Sequence, residues 1–210
     1  MKLANKTCIE FTKLLSSKSA VPGGGGTAAL VGAFGTALGG MVCNLTIGKK
    51  KYARYEDELK EILSKILEIQ ESFLNMVDED AENFLPLSKA YGMPSGTKKE
   101  KEEKNKVLQE NLKIACETPI NIMRTSFEAI KLHENLLDKA STLVVSDIGV
   151  GVQCLKSALI SGHMNVVVNI NMINDGQFVS ETRDEINILL CEGSKIADRV
   201  YECVQAMIRQ

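Results

Sequence analysis

The chain has no tryptophan, only 5% aromatic residues and two histidines among 210 residues, and each shortage removes a class of function. Nucleic acid is gripped by basic faces with stacking rings, and a formal net charge of -2 with so few rings supplies neither, so nucleic acid is excluded as the main partner. His133 and His163 have no Cys, Asp or Glu at metal-ligand spacing and form no Ser-His-Asp pattern, so both read as packing or surface residues. The six cysteines (Cys8, Cys43, Cys116, Cys154, Cys191 and Cys203) include no Cys-x-x-Cys, which leaves neither a metal site nor a disulfide framework to expect. Without a signal-type apolar run after Met1, the expectation is a cytoplasmic protein with free thiols. Nothing repeats, and residues 1–210 read as one domain able to bury its own core.

What the chain does have is glycine in one place. Pro22-Gly23-Gly24-Gly25-Gly26-Thr27 opens an uncharged stretch over residues 28–47, which Gly48-Lys49-Lys50-Lys51-Tyr52 closes. Glycines that adopt positive φ and let backbone approach a ligand, followed by a helix N-terminus, would make an anion cradle. No Gly-Lys-Ser/Thr follows, so this is not a P-loop, and no strand precedes it as a dinucleotide fold requires. Taken alone, the glycines equally suit a flexible connection. The uncharged stretch is long enough to span a bilayer, but it is rich in Gly and Thr and holds Asn44, so it reads as a buried central helix and not a membrane anchor.

The rest is helical in pattern, and the fold class is all-α, a single-domain bundle of long helices. A short amphipathic helix is expected over residues 7–17. After Lys51, apolar residues from Leu59 to Phe84 recur at three- and four-residue steps, and Pro86 should end that helix. Thr97 and Glu100 form a capping box for a charged helix to about residue 117. Thr118-Pro119 should then start another, with the chain reversing between them. Ser146-Asp147 should begin a further helix. Local propensity favours a strand for the β-branched residues 166–170, although the wider pattern favours helix. Asn174-Asp175-Gly176 is a turn, and a last helix is expected over about residues 180–207.

Asp80 is the anomaly of this pattern, because it lies three, four and seven residues from Val77, Phe84 and Phe73 and so places a carboxylate on the apolar seam. Desolvation there would raise its pKa towards the range useful for proton transfer, unless a cation or an N–H donor compensates. Asp147 could equally be an acidic first-turn residue behind a Ser146 cap. Asn165 and Asn169 are one turn apart on the face that carries Asp147. On a continuous helix Asp147 and Asn165 would be about 27 Å apart, so they serve different ends of a ligand, different subunits, or a broken helix.

The glycine loop, Asn44-Leu45-Thr46, Gly48-Lys49-Lys50-Lys51-Tyr52, Asp78-Glu79-Asp80-Ala81, Ser146-Asp147 and Asn165-Val166 fall in a familiar order and spacing. In these the chain resembles the cyclodeaminase part of the formiminotransferase-cyclodeaminase family, which has stand-alone methenyltetrahydrofolate cyclohydrolases among its bacterial members. The chain departs from that pattern at Ala140-Ser141, where Gly-Asn is expected. The resemblance implies an all-helical homodimer, helix over residues 166–170, and a reduced folate as substrate with no metal or organic cofactor. The expected reaction is hydrolysis of 5,10-methenyltetrahydrofolate to 10-formyltetrahydrofolate. The alternatives are an ammonia-releasing formiminotetrahydrofolate cyclodeaminase and a non-catalytic folate-binding dimer. With the motifs matched residue by residue, Asp80 or Asp147 is the expected acid/base. Asn165 and Asn169 would orient the folate, and Lys49, Lys50 and Lys51 would attract its glutamate tail. Gly23, Gly24, Gly25 and Gly26 would hold a carboxylate or close on the ring system. Tyr52, Asp78 and Ser146 complete the expected substrate-binding set.

Overall fold

The computed structural model describes residues 2–209. Six α-helices follow in order: α1 (Cys8–Leu15), α2 (Gly24–Thr46), α3 (Glu56–Tyr91), α4 (Lys98–Leu136), α5 (Val145–Ile170) and α6 (Gly176–Ile208). Short 3-10 turns lie at Leu3–Asn5, Lys50–Tyr55 and Thr142–Val144, and there is no strand among the described residues. The connections between long helices are short, so successive helices run antiparallel. α2 packs against α3 and α5, α4 closes the same four-helix group from the other side, and α6 covers the α4–α5 edge.

Local chemistry explains most boundaries. Thr7 and Glu10 form a capping box on α1, and Thr97 and Glu100 form another on α4. Asp175 caps α6 by accepting from the Phe178 N–H at 3.1 Å, so that helix starts at Gly176, earlier than its apolar pattern indicated. The β-branched residues 166–170 are helical, because Val166 and Ile170 are buried in the core and packing outweighs propensity.

Three expected boundaries are corrected. α3 passes through Pro86 to Tyr91, and the proline sits on the exposed side of the helix, where the carbonyl it leaves without a helical partner can stay solvated. α4 runs through Thr118 and Pro119 as one helix, so the chain does not reverse there. The carbonyl that Pro119 leaves without its helical partner belongs to Ala115, and it accepts from Asn169 Nδ2 of α5. α5 begins at Val145 straight after a 3-10 turn, with Val144 at its cap, so Ser146 is not an N-cap.

The apolar stretch does form the central helix. Ala28, Ala29, Ala33, Val42 and Cys43 of α2 are buried, and its small residues bring neighbours close. At Gly35 an added Cβ would lie 2.8 Å from the Gly151 carbonyl oxygen, so α2 and α5 meet backbone to backbone. His133 fills the space beside this crossing, fully buried, with Nδ1 2.9 Å from the Ala129 carbonyl and Nε2 3.2 Å from that of Gly35. The segments Gly24–Thr46 and Thr142–Ile170 are both long and apolar enough to cross a membrane. Each helix gives part of that apolarity to the core, while α2 keeps Phe34, Met41 and Leu45 exposed and α5 keeps Val150, Met164 and Val168 exposed.

Candidate active site

α2 and α5 run in opposite directions, so the N-terminal end of α2 lies beside the C-terminal end of α5. There the two helices, with α3 and α4, enclose a pocket of about 220 Å³. Gly23, Gly24 and Gly25 form one wall, Asp80 and Phe84 of α3 a second, and Asn165 and Asn169 of α5 a third. Ala115 and Pro119 of α4 close the side opposite the glycines. Three groups read separately from the sequence, the glycines, Asp80 and the asparagine pair, are thus brought together.

The glycines do not work as expected. Helix α2 starts at Gly24, so Gly24, Gly25 and Gly26 are its first turn, and the positive φ in the chain is at Gly48 instead. What demands glycine is the approach of other side chains: a Cβ at Gly25 would lie 2.0 Å from Asp80 Oδ1, and one at Gly24 would lie 3.1 Å from Asn165 Oδ1. One donor of this helix end is already taken. Asp80 Oδ2 accepts from the Gly26 N–H at 2.8 Å, so the anion at this helix N-terminus is the protein's own carboxylate. Desolvation in the pocket wall raises the Asp80 pKa from its ordinary value, and the Gly26 N–H partly opposes that rise. Among the residues lining the pocket it is the one charged group.

Asn165 Nδ2 donates to the Ser161 carbonyl at 2.8 Å, and Asn169 Nδ2 to that of Ala115 at 3.2 Å. Asp78, on the other side of α3, faces away from the pocket. Its carboxylate accepts from the Leu3 N–H at 2.5 Å and pins the N-terminal segment. Phe84, Ala115, Pro119 and Val168 line the pocket without having been singled out as site residues. Phe84 was visible on the apolar seam beside Asp80. Pro119 had been spent on a helix start that does not occur.

The remaining expected residues gather at the far end of α2, whose 23 residues span about 34 Å. Lys49 Nζ donates to Ser141 Oγ at 3.2 Å, the Ser141 N–H donates to Thr46 Oγ1 at 3.0 Å, and the Tyr52 hydroxyl accepts from the Thr142 N–H at 3.2 Å. Lys51 lies 5.3 Å from the centre of the Tyr52 ring, and Lys50 begins the 3-10 turn that holds both. Ser146 and Asp147 stand at the start of α5 at this same end. Because α5 is continuous, the broken-helix option is eliminated, and the expected residues fall into two groups at opposite ends of α2 and α5.

Comparison with known proteins agrees with this architecture. Residues 7–188 match the family described as formiminotransferase-cyclodeaminase. The methenyltetrahydrofolate cyclohydrolase of Methylorubrum extorquens is 39% identical over 204 residues, covering 97% of this chain and 98% of that protein. The formimidoyltransferase-cyclodeaminase of Gallus gallus is 29% identical over 92% of this chain, which spans only 36% of that longer protein. A crystal structure of formiminotetrahydrofolate cyclodeaminase from Thermotoga maritima shares the fold with a TM-score of 0.81 at 24% identity, over 99% of this chain and 98% of the other. On the match over residues 7–188 and the near-full-length identity to the Methylorubrum protein, the chain belongs to the formiminotransferase-cyclodeaminase family.

Proposed function

We propose that this protein is a methenyltetrahydrofolate cyclohydrolase, the activity named for its 39%-identical relative. The observation that carries the reading is Asp80, a desolvated carboxylate with a raised pKa, held on one oxygen by the Gly26 N–H in a pocket without a compensating cation. Such a group suits a positively charged one-carbon bridge. The ionised form favours the amidinium cation and accepts a proton from the water that adds to its carbon. The neutral adduct then loses its hydroxyl proton to solvent as the carbon–N5 bond breaks, and Asp80 returns its proton to N5. One proton is released overall, and 10-formyltetrahydrofolate leaves. The carbon is already electrophilic, so the step needs no metal or organic cofactor.

The second group is a half-site that completes a partner's pocket in this reading, and the working unit is a homodimer. Phe34, Met41 and Leu45 of α2 and Val150, Met164 and Val168 of α5 are exposed at steps of four, seven or fourteen residues, which keep to one helix face, the pattern of helices that pair. Val168 also lines the pocket, so the pocket opens onto this apolar face. A two-fold axis through the middle of the face would set the paired α2 helices antiparallel. Each pocket would then meet the partner's Lys49, Lys50, Lys51, Tyr52 and Asp147, with the lysines drawing the anionic glutamate tail. On this reading the apolar stripe is covered by a second copy and not by a bilayer, and the protein stays in the supernatant without detergent.

The test follows loss of methenyltetrahydrofolate absorbance beside ammonia release from 5-formiminotetrahydrofolate. Faster turnover of the methenyl compound is expected. Ammonia release as the dominant activity would make the protein a cyclodeaminase, and binding of reduced folate with neither turnover would remove the catalytic reading.

A further inference from the structure

The polar side chains that line the pocket are rich in acceptor oxygen. A backbone carbonyl only accepts, so the amide branches of Asn165 and Asn169 that touch the Ser161 and Ala115 carbonyls must be the NH2 groups. Each amide therefore keeps Oδ1 as its remaining branch. The Ala115 carbonyl is available for this because the residue four positions on, Pro119, has no N–H to complete the helical bond. Asp80, with Oδ2 on the Gly26 N–H, adds carboxylate oxygen and no donor. No Lys, Arg, His, Ser, Thr or Tyr is among the lining residues. The polar side chains of the pocket thus each offer an acceptor oxygen, and one N–H of each asparagine is already used within the fold.

Resting on the folate reading above, we propose that this pocket is the subsite for the N–H-bearing edge of the pterin ring. The adjacent 2-amino group and N3–H donate to Asn165 Oδ1 and Asn169 Oδ1, which stand one helical turn apart, while Asp80 is left to the one-carbon bridge. Pro119 is a positioning residue that frees the carbonyl orienting Asn169. A ring edge that presents acceptors in place of these donors would leave the buried oxygens unpaired and be rejected.

The test uses 5-formyltetrahydrofolate, a non-reacting congener, and its 2-desamino-2-methyl analogue, each titrated calorimetrically into the intact protein. Wild type should bind the analogue about tenfold or more weakly. Asn165→Ala and Asn169→Ala should bring the two affinities together. Pro119→Ala returns an N–H to the helix, draws the Ala115 carbonyl away from Asn169, and should also shrink the ratio, raising KM more than it lowers kcat, with no loss of melting temperature. Equal wild-type affinities for the two compounds, with methenyltetrahydrofolate still hydrolysed, would overturn the subsite and leave the activity standing. An unchanged ratio in Pro119→Ala would overturn the positioning role. Failure of wild type to bind 5-formyltetrahydrofolate or to turn over the methenyl compound would overturn the folate reading and the subsite with it. If the asparagine variants do not fold, the wild-type comparison decides alone.

Discussion

Adding one methyl group at each of three successive glycines should give three different enzymes. At Gly23 an added Cβ meets nothing within 4 Å; at Gly24 it lies 3.1 Å from Asn165 Oδ1; at Gly25 it lies 2.0 Å from Asp80 Oδ1 and 2.5 Å from Asp80 Cγ. Gly24 and Gly25 are helical, so alanine brings a propensity gain of about 1 kcal/mol at either. At Gly25 the carboxylate must move off the Gly26 N–H, losing a charge-assisted hydrogen bond of about 1.5–3 kcal/mol, with crowding of about 1–3 kcal/mol besides. Gly25→Ala should therefore be less stable by about 1.5–5 kcal/mol on balance, in denaturant titrations. Because the displaced group is the proposed base, kcat should fall at least about a hundredfold. Gly24→Ala should lose a few-fold, mostly in KM, and Gly23→Ala almost nothing. Adding Asp80→Ala to Gly25→Ala should recover most of the lost stability but no activity, a coupling of about 1–2 kcal/mol. Wild-type turnover by Gly25→Ala, or equal damage from Gly23→Ala, would refute the argument.

Other outcomes follow from the same geometry. With its pKa raised by desolvation, Asp80 is protonated at higher pH than a free carboxylate, so single-turnover rates should fall as pH drops through that raised value; Asp80→Asn should be slow at every pH. The folded state holds that proton more tightly than the unfolded chain, so Asp80 ionisation should lower stability as pH rises from the ordinary 3.8 to the raised value, a slope that calorimetry should find missing in Asp80→Asn. His133 behaves oppositely: burial lowers its pKa, so protonation of the unfolded chain should reduce the melting temperature as pH falls below 6.5, and His133→Gln should flatten that decline. If the dimer joins the two half-sites, mixing inactive Asp80→Asn with an inactive variant altered at Asp147 and Lys49 should restore activity through heterodimers, and no recovery on subunit exchange would refute the joined site. Met164→Glu should yield a slower-sedimenting monomer with little activity.

Much of the fold was legible because helical periodicity is written into long seams such as that from Leu59 to Phe84, and because capping boxes such as Thr97 with Glu100 announce their helix ends. The prolines misled for a physical reason. A missing N–H ends a helix only if the orphaned carbonyl finds no other donor, and at Ala115 the donor arrives from Asn169, 54 residues away. Sequence spacing cannot show that partner. Asp80 was legible as a charge on an apolar stripe, yet its partner at Gly26 was not, and the glycines were therefore credited to a ligand's charge. Asp78 has a partner that motif matching does not show: two residues from Asp80, it lies about 200° around the helix and accepts from the Leu3 N–H.

Almost every wall of the pocket belongs to the interior of a long rod: Asp80 and Phe84 within α3, Ala115 and Pro119 within α4, Asn165 and Asn169 within α5. An inserted or deleted residue in any of these rods would rotate everything beyond it by about 100° and dismantle the core along with the chemistry. Divergence in what such a scaffold accepts must therefore proceed by exchange of side chains at fixed positions, or by change in the neighbouring copy. Loop grafting, the usual engineering route to new specificity, has almost nothing here to act upon.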